Sequence, residues 1–249
     1  MKLWQTRRHW EKFARVDPLW AVLSEPDKKG NRWQADAFFA TGRELVASEL
    51  GRVRALCPAL RTGHALDFGC GVGRLTQALA GHFDRVTGVD VSAEMIRLAR
   101  EHNRHGPRVT YVHNPHADLR GFDDGAFDFV YSLLTLQHVA PEYARGYIAE
   151  FVRVLAPGGV VLFQLPTRRP APPRRTPHAW LVALALRAWR AANRLVALRP
   201  VMEMHAIPRE EVVAHLRALG AEILDVHRYD PAGEMLESYG YIARKPGAV

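Results

Sequence analysis

Four residues at alternate positions, Asp67, Gly69, Gly71 and Gly73, stand where an apolar run gives way to an amphipathic one. Glycine lacks a Cβ, so a chain carrying it in this pattern turns sharply after a strand and lets bare main chain meet a ligand. A helix read from about Arg74 to Gly81 then aims its N-terminal amides back into the same crevice. A second acid, Asp90, ends the next apolar run, Val86-Thr87-Gly88-Val89, and is followed by Val91, Ser92 and Met95. An acid at the carboxyl end of a second strand is placed to accept both hydroxyls of a ribose. The pattern is one for a nucleoside-like cofactor. Its G-x-G-x-G spacing departs from the G-x-G-x-x-G of dinucleotide sites, and no G-K-[ST] follows, which excludes a P-loop.

Two histidines are candidates for proton transfer. His138, in Leu136-Gln137-His138-Val139, follows the fourth strand; His205, in Met202-Glu203-Met204-His205, stands where a long insertion returns to the sheet. Packing or helix capping is the competing reading for both. The pairs His102/His105 and His113/His116 lie on a helix end and a loop with no third ligand evident, so they read as surface histidines rather than a metal site.

The elements that must position these residues begin near Thr62. Strands are expected near 64–68, 85–90, 108–113, 127–133, 159–165, 221–229 and 237–244. Helices are expected near 43–56, 74–81, 93–104, 141–155 and 208–219. Continuous apolar strands alternating with helices mean a parallel sheet covered on both faces. The short link Asp230 to Gly233 cannot hold a crossover helix, so the last two strands form an antiparallel hairpin at the sheet edge. Residues 1–50, rich in tryptophan and phenylalanine, read as helices broken at Asp17-Pro18 and at Pro26 to Gly30. One domain over 1–249 is expected: a helical lid (1–50), a cofactor-binding core (51–165), an Arg/Pro-rich insertion (166–207), and a last helix with the closing hairpin (208–249).

The net charge of +8 is local: Phe151 to Met202 holds nine arginines and no acid, so the rest of the chain sums to about −1. Within that insertion a proline-stiffened arm leads to a helix at 178–198 with Arg187, Arg190 and Arg194 on one face. It reads as an amphipathic cap on the sheet edge or on a second subunit of a homodimer. Two other readings are a peripheral membrane contact through 178–199 and a nucleic-acid surface. The last lacks interleaved aromatics and an N-P-P-Y-type acceptor motif. No apolar run nears a membrane span, the first residues lack a signal-peptide core, and two cysteines suit a reducing compartment, so a cytoplasmic protein is expected.

The stretch Leu66-Asp67-Phe68-Gly69-Cys70-Gly71-Val72-Gly73 resembles motif I of the class I S-adenosylmethionine-dependent methyltransferases. Gly88 to Ser92, Phe127 to Ser132 and Arg153 to Gly159 resemble further motifs of that superfamily, in family order over about residues 40–165. The resemblance implies a three-layer, Rossmann-like α/β fold whose seven-stranded sheet is mostly parallel with the last strand antiparallel, with S-adenosyl-L-methionine as cofactor. It implies that Asp67, Gly69, Cys70, Gly71 and Gly73 face the methionine amino group and carboxylate, and that Asp90, with Val91 and Met95 nearby, meets the ribose. Asp118, backed by the Leu119 amide, would meet the adenine, with Asn114 as the alternative. Backbone at Ser132 and Leu133 would line the sulfonium end, with Phe39 stacking beside it. The activity expected is methyl transfer to an oxygen or nitrogen of a small or lipid-linked metabolite. The alternatives are an RNA methyltransferase, a non-catalytic nucleoside-binding module of the same fold, or a dehydrogenase.

Overall fold

Ala65 and Leu66 are neighbours on one strand, so their side chains point to opposite faces of the sheet, and both are fully buried. A strand apolar on both sides requires a helical layer above and below it. The computed structural model describes residues 2–168, 200–229 and 237–247 and has those layers. Strands β1 (His64–Phe68), β2 (Arg85–Asp90), β3 (Val109–His113), β4 (Phe127–Ser132), β5 (Leu155–Pro166), β6 (Glu222–Arg228) and β7 (Ser238–Arg244) form one sheet in the order β3-β2-β1-β4-β5-β7-β6. The first five pair in parallel, and β7 runs antiparallel to both its neighbours, β5 and β6. This is the α/β sheet expected, its closing hairpin at the edge.

The helices, in chain order, are α1 (Leu3–Val16), α2 (Pro18–Val22), α3 (Ala35–Leu56), α4 (Arg74–Leu79), α5 (Ala93–Glu101), α6 (Pro141–Val154) and α7 (Arg209–Ala218). Val46 and Leu50 of α3, Leu79 of α4 and Ile96 of α5 bury against one face with Ala65 and Phe129. Ile148 and Phe151 of α6 and Leu216 of α7 bury against the other with Leu66 and Val130. A third cluster joins Phe13 and Ala21 of the N-terminal helices to Trp33, Phe38, Phe39, Val72 and Met95.

Two boundaries differ from expectation. α3 starts at Ala35 rather than near 43, because Phe38 and Phe39 are taken into the third cluster and their turns become helical with it. Gly42 inside that helix is no breaker: a Cβ there would stand 2.5 Å from the Arg74 carbonyl, so its absence lets α3 and α4 touch backbone to backbone. β5 starts at Leu155, which pairs with Phe127 across a register shift before Phe129. Beside it Asp128 accepts from the His64 amide at 3.0 Å and pairs with Arg61 at 2.9 Å, holding the start of β1.

The lid is tied down at both ends. Asp17 accepts from the Gly30 and Asn31 amides at 2.6 and 3.1 Å, which closes the loop after α2. Glu11 of α1 accepts from the Ala93 and Glu94 amides at 2.6 and 3.4 Å, capping the N-terminus of α5. His9 receives a hydrogen bond from the Val201 amide at 3.2 Å. The helix expected at 178–198, most of the arm before it, the 178–199 membrane face and the link Asp230 to Gly233 lie outside the described residues.

Candidate active site

The loop after β1 hooks over β2. Amides of Gly69 and Cys70 both donate to the Val89 carbonyl, at 2.7 and 3.0 Å, and the Gly73 amide closes the turn on Cys70 at 2.9 Å. Gly71, at φ +53°, points its amide into the Asp90 carboxylate at 2.9 Å; a Cβ there would stand 2.5 Å from the Val22 side chain of the lid. The other Asp90 oxygen accepts from the Ser92 amide at 2.8 Å. Burial pushes this carboxyl up to about 6, and the two amides work against that rise. Each oxygen keeps a lone pair free for a ligand hydroxyl.

Loop, strand ends and lid enclose a cavity of about 460 Å³. Its floor is Phe68 to Gly71, Val89 to Val91 and Asn114; its roof is Leu3, Thr6 and Trp10 of α1 and Ala21 to Glu25 after α2. Its far wall is Leu133 to Thr135, Gln137, His138, Val139 and Tyr147, with Met202 and Met204 at the return of the insertion. Leu134 sits in left-handed backbone, φ +57°, where the chain leaves β4, a conformation rare for a branched side chain.

A directional chain of hydrogen bonds holds that wall. The Leu134 amide donates to the Gln164 side-chain oxygen at 3.1 Å, and the Gln164 amide nitrogen donates to the Gln137 oxygen at 3.2 Å. The Gln137 nitrogen is thereby turned to His138 Nε2 at 3.2 Å, and His138 Nδ1 lies 2.8 Å from the Glu203 carbonyl. With an amide donor on one side and a carbonyl on the other, the network assigns the neutral tautomer with its proton on Nδ1. Burial agrees, pushing the imidazole down to about 4. Trp10 meets the ring edge-on at 5.2 Å between centroids.

Of the residues singled out from sequence, Gly69, Cys70, Gly71, Asp90, Val91, Leu133 and His138 share this cavity. The others stand elsewhere, each for a local reason. Asp67 is 1% exposed and turned away, accepting from the Thr76 hydroxyl at 2.6 Å, and burial raises it to about 7. Gly73 heads α4 and backs onto Tyr111. Met95 and Phe39 are absorbed into the lid core, where Phe39 meets Phe38 and His102 edge-on. Asp118 is drawn outward into an ion pair with Arg120 at 2.6 Å, which holds it below the usual carboxylate range. The Leu119 amide is already given to Glu150 at 2.6 Å. Asn114, not Asp118, reaches the cavity, and its amide donates to the Asp118 carbonyl at 2.7 Å. Ser132 turns its hydroxyl onto the Phe68 carbonyl at 3.1 Å. His205 gives its amide to the Gln137 carbonyl at 2.7 Å and sets its ring 3.5 Å from Glu203, behind the wall. Among the described residues no cluster of metal ligands is present, and no helix is long and apolar enough to cross a membrane.

Residues 66–163 match the family described as methyltransferase domain. The trans-aconitate 2-methyltransferase of Paracidovorax citrulli is 36% identical over 49% of this chain and 46% of its own length. The chain spans about half the length of the curated relatives it matches. Among solved structures, the magnesium protoporphyrin IX methyltransferase of Synechocystis with bound S-adenosylhomocysteine superposes with a TM-score of 0.57 at 21% identity, over 82% of this chain and 84% of that one. The [4+2]-cyclase SpnF superposes with a TM-score of 0.61 at 19% identity, over 98% of this chain and 97% of that one. The fold is shared with enzymes of more than one reaction, so the reaction must be argued from the site.

Proposed function

We propose, from the match of residues 66–163 to a methyltransferase domain, that this chain is a class I S-adenosylmethionine-dependent methyltransferase that moves the donor's methyl group to an oxygen or nitrogen of a small or lipid-linked metabolite. One observation carries the reading: a side-chain-free loop and the buried Asp90 carboxylate, tied to each other at 2.9 Å, form one end of a lidded cavity whose other end holds a neutral imidazole.

The donor, when bound, supplies a methyl made electrophilic by its sulfonium. The work of this chain is then alignment. Asp90 accepts from the ribose hydroxyls, and the Gly69 to Gly71 backbone leaves room for the thioether. Asn114 stands at the adenine end and Leu133 to Thr135 shape the approach of the acceptor. Holding nucleophile, methyl and sulfur collinear at near contact supplies most of the rate. Roof residues Leu3, Trp10 and Val22 exclude water from that line. Where the nucleophile still carries its proton, His138 Nε2 accepts it, after giving up the Gln137 amide. We read lid, core, insertion and closing hairpin as one working unit.

Isothermal titration with S-adenosylmethionine, S-adenosylhomocysteine and NAD tests the donor. Binding of both sulfur nucleosides with NAD silent is the expected result; binding of NAD alone overturns the proposal. Release of S-adenosylhomocysteine across a panel of hydroxy and amino metabolites then identifies the acceptor.

A further inference from the structure

Gln164 of β5 is fully buried, and both N–H groups of its side chain are in use. Its oxygen accepts from the Leu134 amide at 3.1 Å; its nitrogen donates to the Gln137 oxygen at 3.2 Å and to the Ser238 hydroxyl of β7. A backbone N–H can only donate, so Leu134 fixes which way round the Gln164 amide lies. Reversed, its nitrogen would face that N–H and its oxygen would face the Gln137 oxygen. The constraint passes along the chain. Gln137 can show only its nitrogen to His138 Nε2, at 3.2 Å, and the Glu203 carbonyl accepts the proton on Nδ1 at 2.8 Å. The relay therefore begins on a backbone donor and ends on a backbone acceptor, and Gln164 sets its direction.

That direction decides what His138 offers the cavity. An imidazolium donates from both nitrogens and needs an acceptor at Nε2, which Gln137 cannot supply while its oxygen is held by Gln164. We propose that Gln164 is a positioning residue: by holding Gln137 it keeps His138 Nε2 a lone-pair acceptor, aimed at an O–H or N–H on the molecule to be methylated. The part played in proton transfer rests on the function proposed above; the direction of the relay does not. Burial and the nearby His205 also disfavour the imidazolium. Among the described residues the titratable groups set against the ring are His205 and Glu203 of the returning segment, 3.5 Å apart, while α1 meets it through the uncharged Trp10. The same Gln164 oxygen also steadies Leu134 in its left-handed backbone, so one buried amide holds both the shape of the wall and its polarity.

The test follows the ring nitrogens of His138 by NMR in the intact chain carrying nitrogen-15 histidine, without donor or acceptor, and H138Q assigns the signals. Wild type is expected to carry its proton on Nδ1 and to stay neutral from pH 8 to pH 5. Q164L frees Gln137 to turn its oxygen to Nε2. The imidazole is then expected to titrate higher by about one pH unit or more, about tenfold in its affinity for the proton. Q164E, of the same size, keeps an acceptor for the Leu134 amide but sets a second acceptor against Gln137, and is expected to shift the titration the same way. A wild-type proton on Nε2 overturns the proposal, and so do variants that titrate as wild type does. Should Q164L fail to fold, Q164E and the wild-type tautomer decide. The spectra need no ligand, so a failure of the donor reading, seen as no binding of S-adenosylhomocysteine, is told apart from a failure of this relay.

Discussion

The Gly71 amide and the Asp90 carboxylate, 19 residues apart in sequence, meet at 2.9 Å, so the turn after β1 is locked to the end of β2 before any ligand arrives. Asp90 thus shapes the loop, and on the function proposed above it also grips the sugar. Asp90→Ala is expected to weaken S-adenosylhomocysteine by about 10- to 100-fold, the worth of one or two bonds to a charged acceptor. Asp90→Asn, which keeps an acceptor oxygen but no charge, falls between. Calorimetry reads both, and full affinity in the alanine variant removes Asp90 from the ribose.

Gly71→Ala tests the loop from the other side. The substitution puts a Cβ on backbone at φ +53° and within 2.5 Å of Val22. Left-handed backbone costs about 1–2 kcal/mol for a residue with a Cβ. The expected outcome is a stability loss of that size in urea, with donor affinity falling because the Asp90 bond must shift. Gly71→Ala combined with Val22→Ala should recover the part due to the clash and leave the part due to φ.

The region most legible in sequence was the one whose geometry is written in adjacent residues. Strand, glycine turn and helix run from Leu66 to Leu79, and their chemistry is local. Asp90 was legible because parallel strands ending together bring their last residues to one rim. Asp118 misled because an acid two residues before Arg120 satisfies itself locally, leaving Asn114 to face the cavity. Met95 and Phe39 misled because apolarity says a residue is buried but not in which of three clusters. Trp10, Met202, Met204 and Arg74 lie in segments noted from sequence but were not themselves singled out as site residues. The first three reach the cavity only through how the lid and the return of the insertion fold back, and Arg74 reads as an ordinary first-turn helix residue.

Asp67 predicts a pH dependence of stability. Burial raises its folded-state pKa to about 7 from the model-peptide value of 3.8. A raised folded pKa contributes stability that is fully present below the unfolded value and lost as pH climbs through the folded one. Relative to Asp67→Asn, wild type should therefore lose Tm steadily from about pH 4 to pH 7 and then level off. Buried His138, pushed down, works in the opposite direction below pH 6.5, which is why the comparison is made between variants rather than read from one melting curve.

Glu11 predicts how the lid is held. Its carboxylate caps α5 through Ala93 at 2.6 Å, three residues past Asp90, so the lid is tied to the Asp90 corner of the cavity. Glu11→Ala removes a cap worth about 1 kcal/mol and should lower Tm by about 2–4 °C. Hydrogen exchange at Ala93 should quicken and protection across α1 should drop, while β4 and β5 keep theirs. Unchanged exchange in α1 shows that the cap does not hold the lid.

His138 gives the sharpest split between chemistry and architecture. Its ring is held neutral, Nδ1 on the Glu203 carbonyl at 2.8 Å and Nε2 on Gln137 at 3.2 Å, and burial keeps it near 4. A base that weak sits well below the operating pH, so its contribution belongs at the low end of general-base catalysis, about 10²-fold. His138→Ala is expected to reduce kcat by about that factor with KM changed less than threefold, because the loss falls on the transition state alone. In wild type kcat should stay flat from pH 5 to 8, since the imidazole is already deprotonated across that range. A KM rise with kcat preserved makes His138 a wall residue and leaves alignment as the whole mechanism. A kcat that falls below pH 7 in wild type and not in the variant shows instead that bound substrate lifts the imidazole toward its ordinary value.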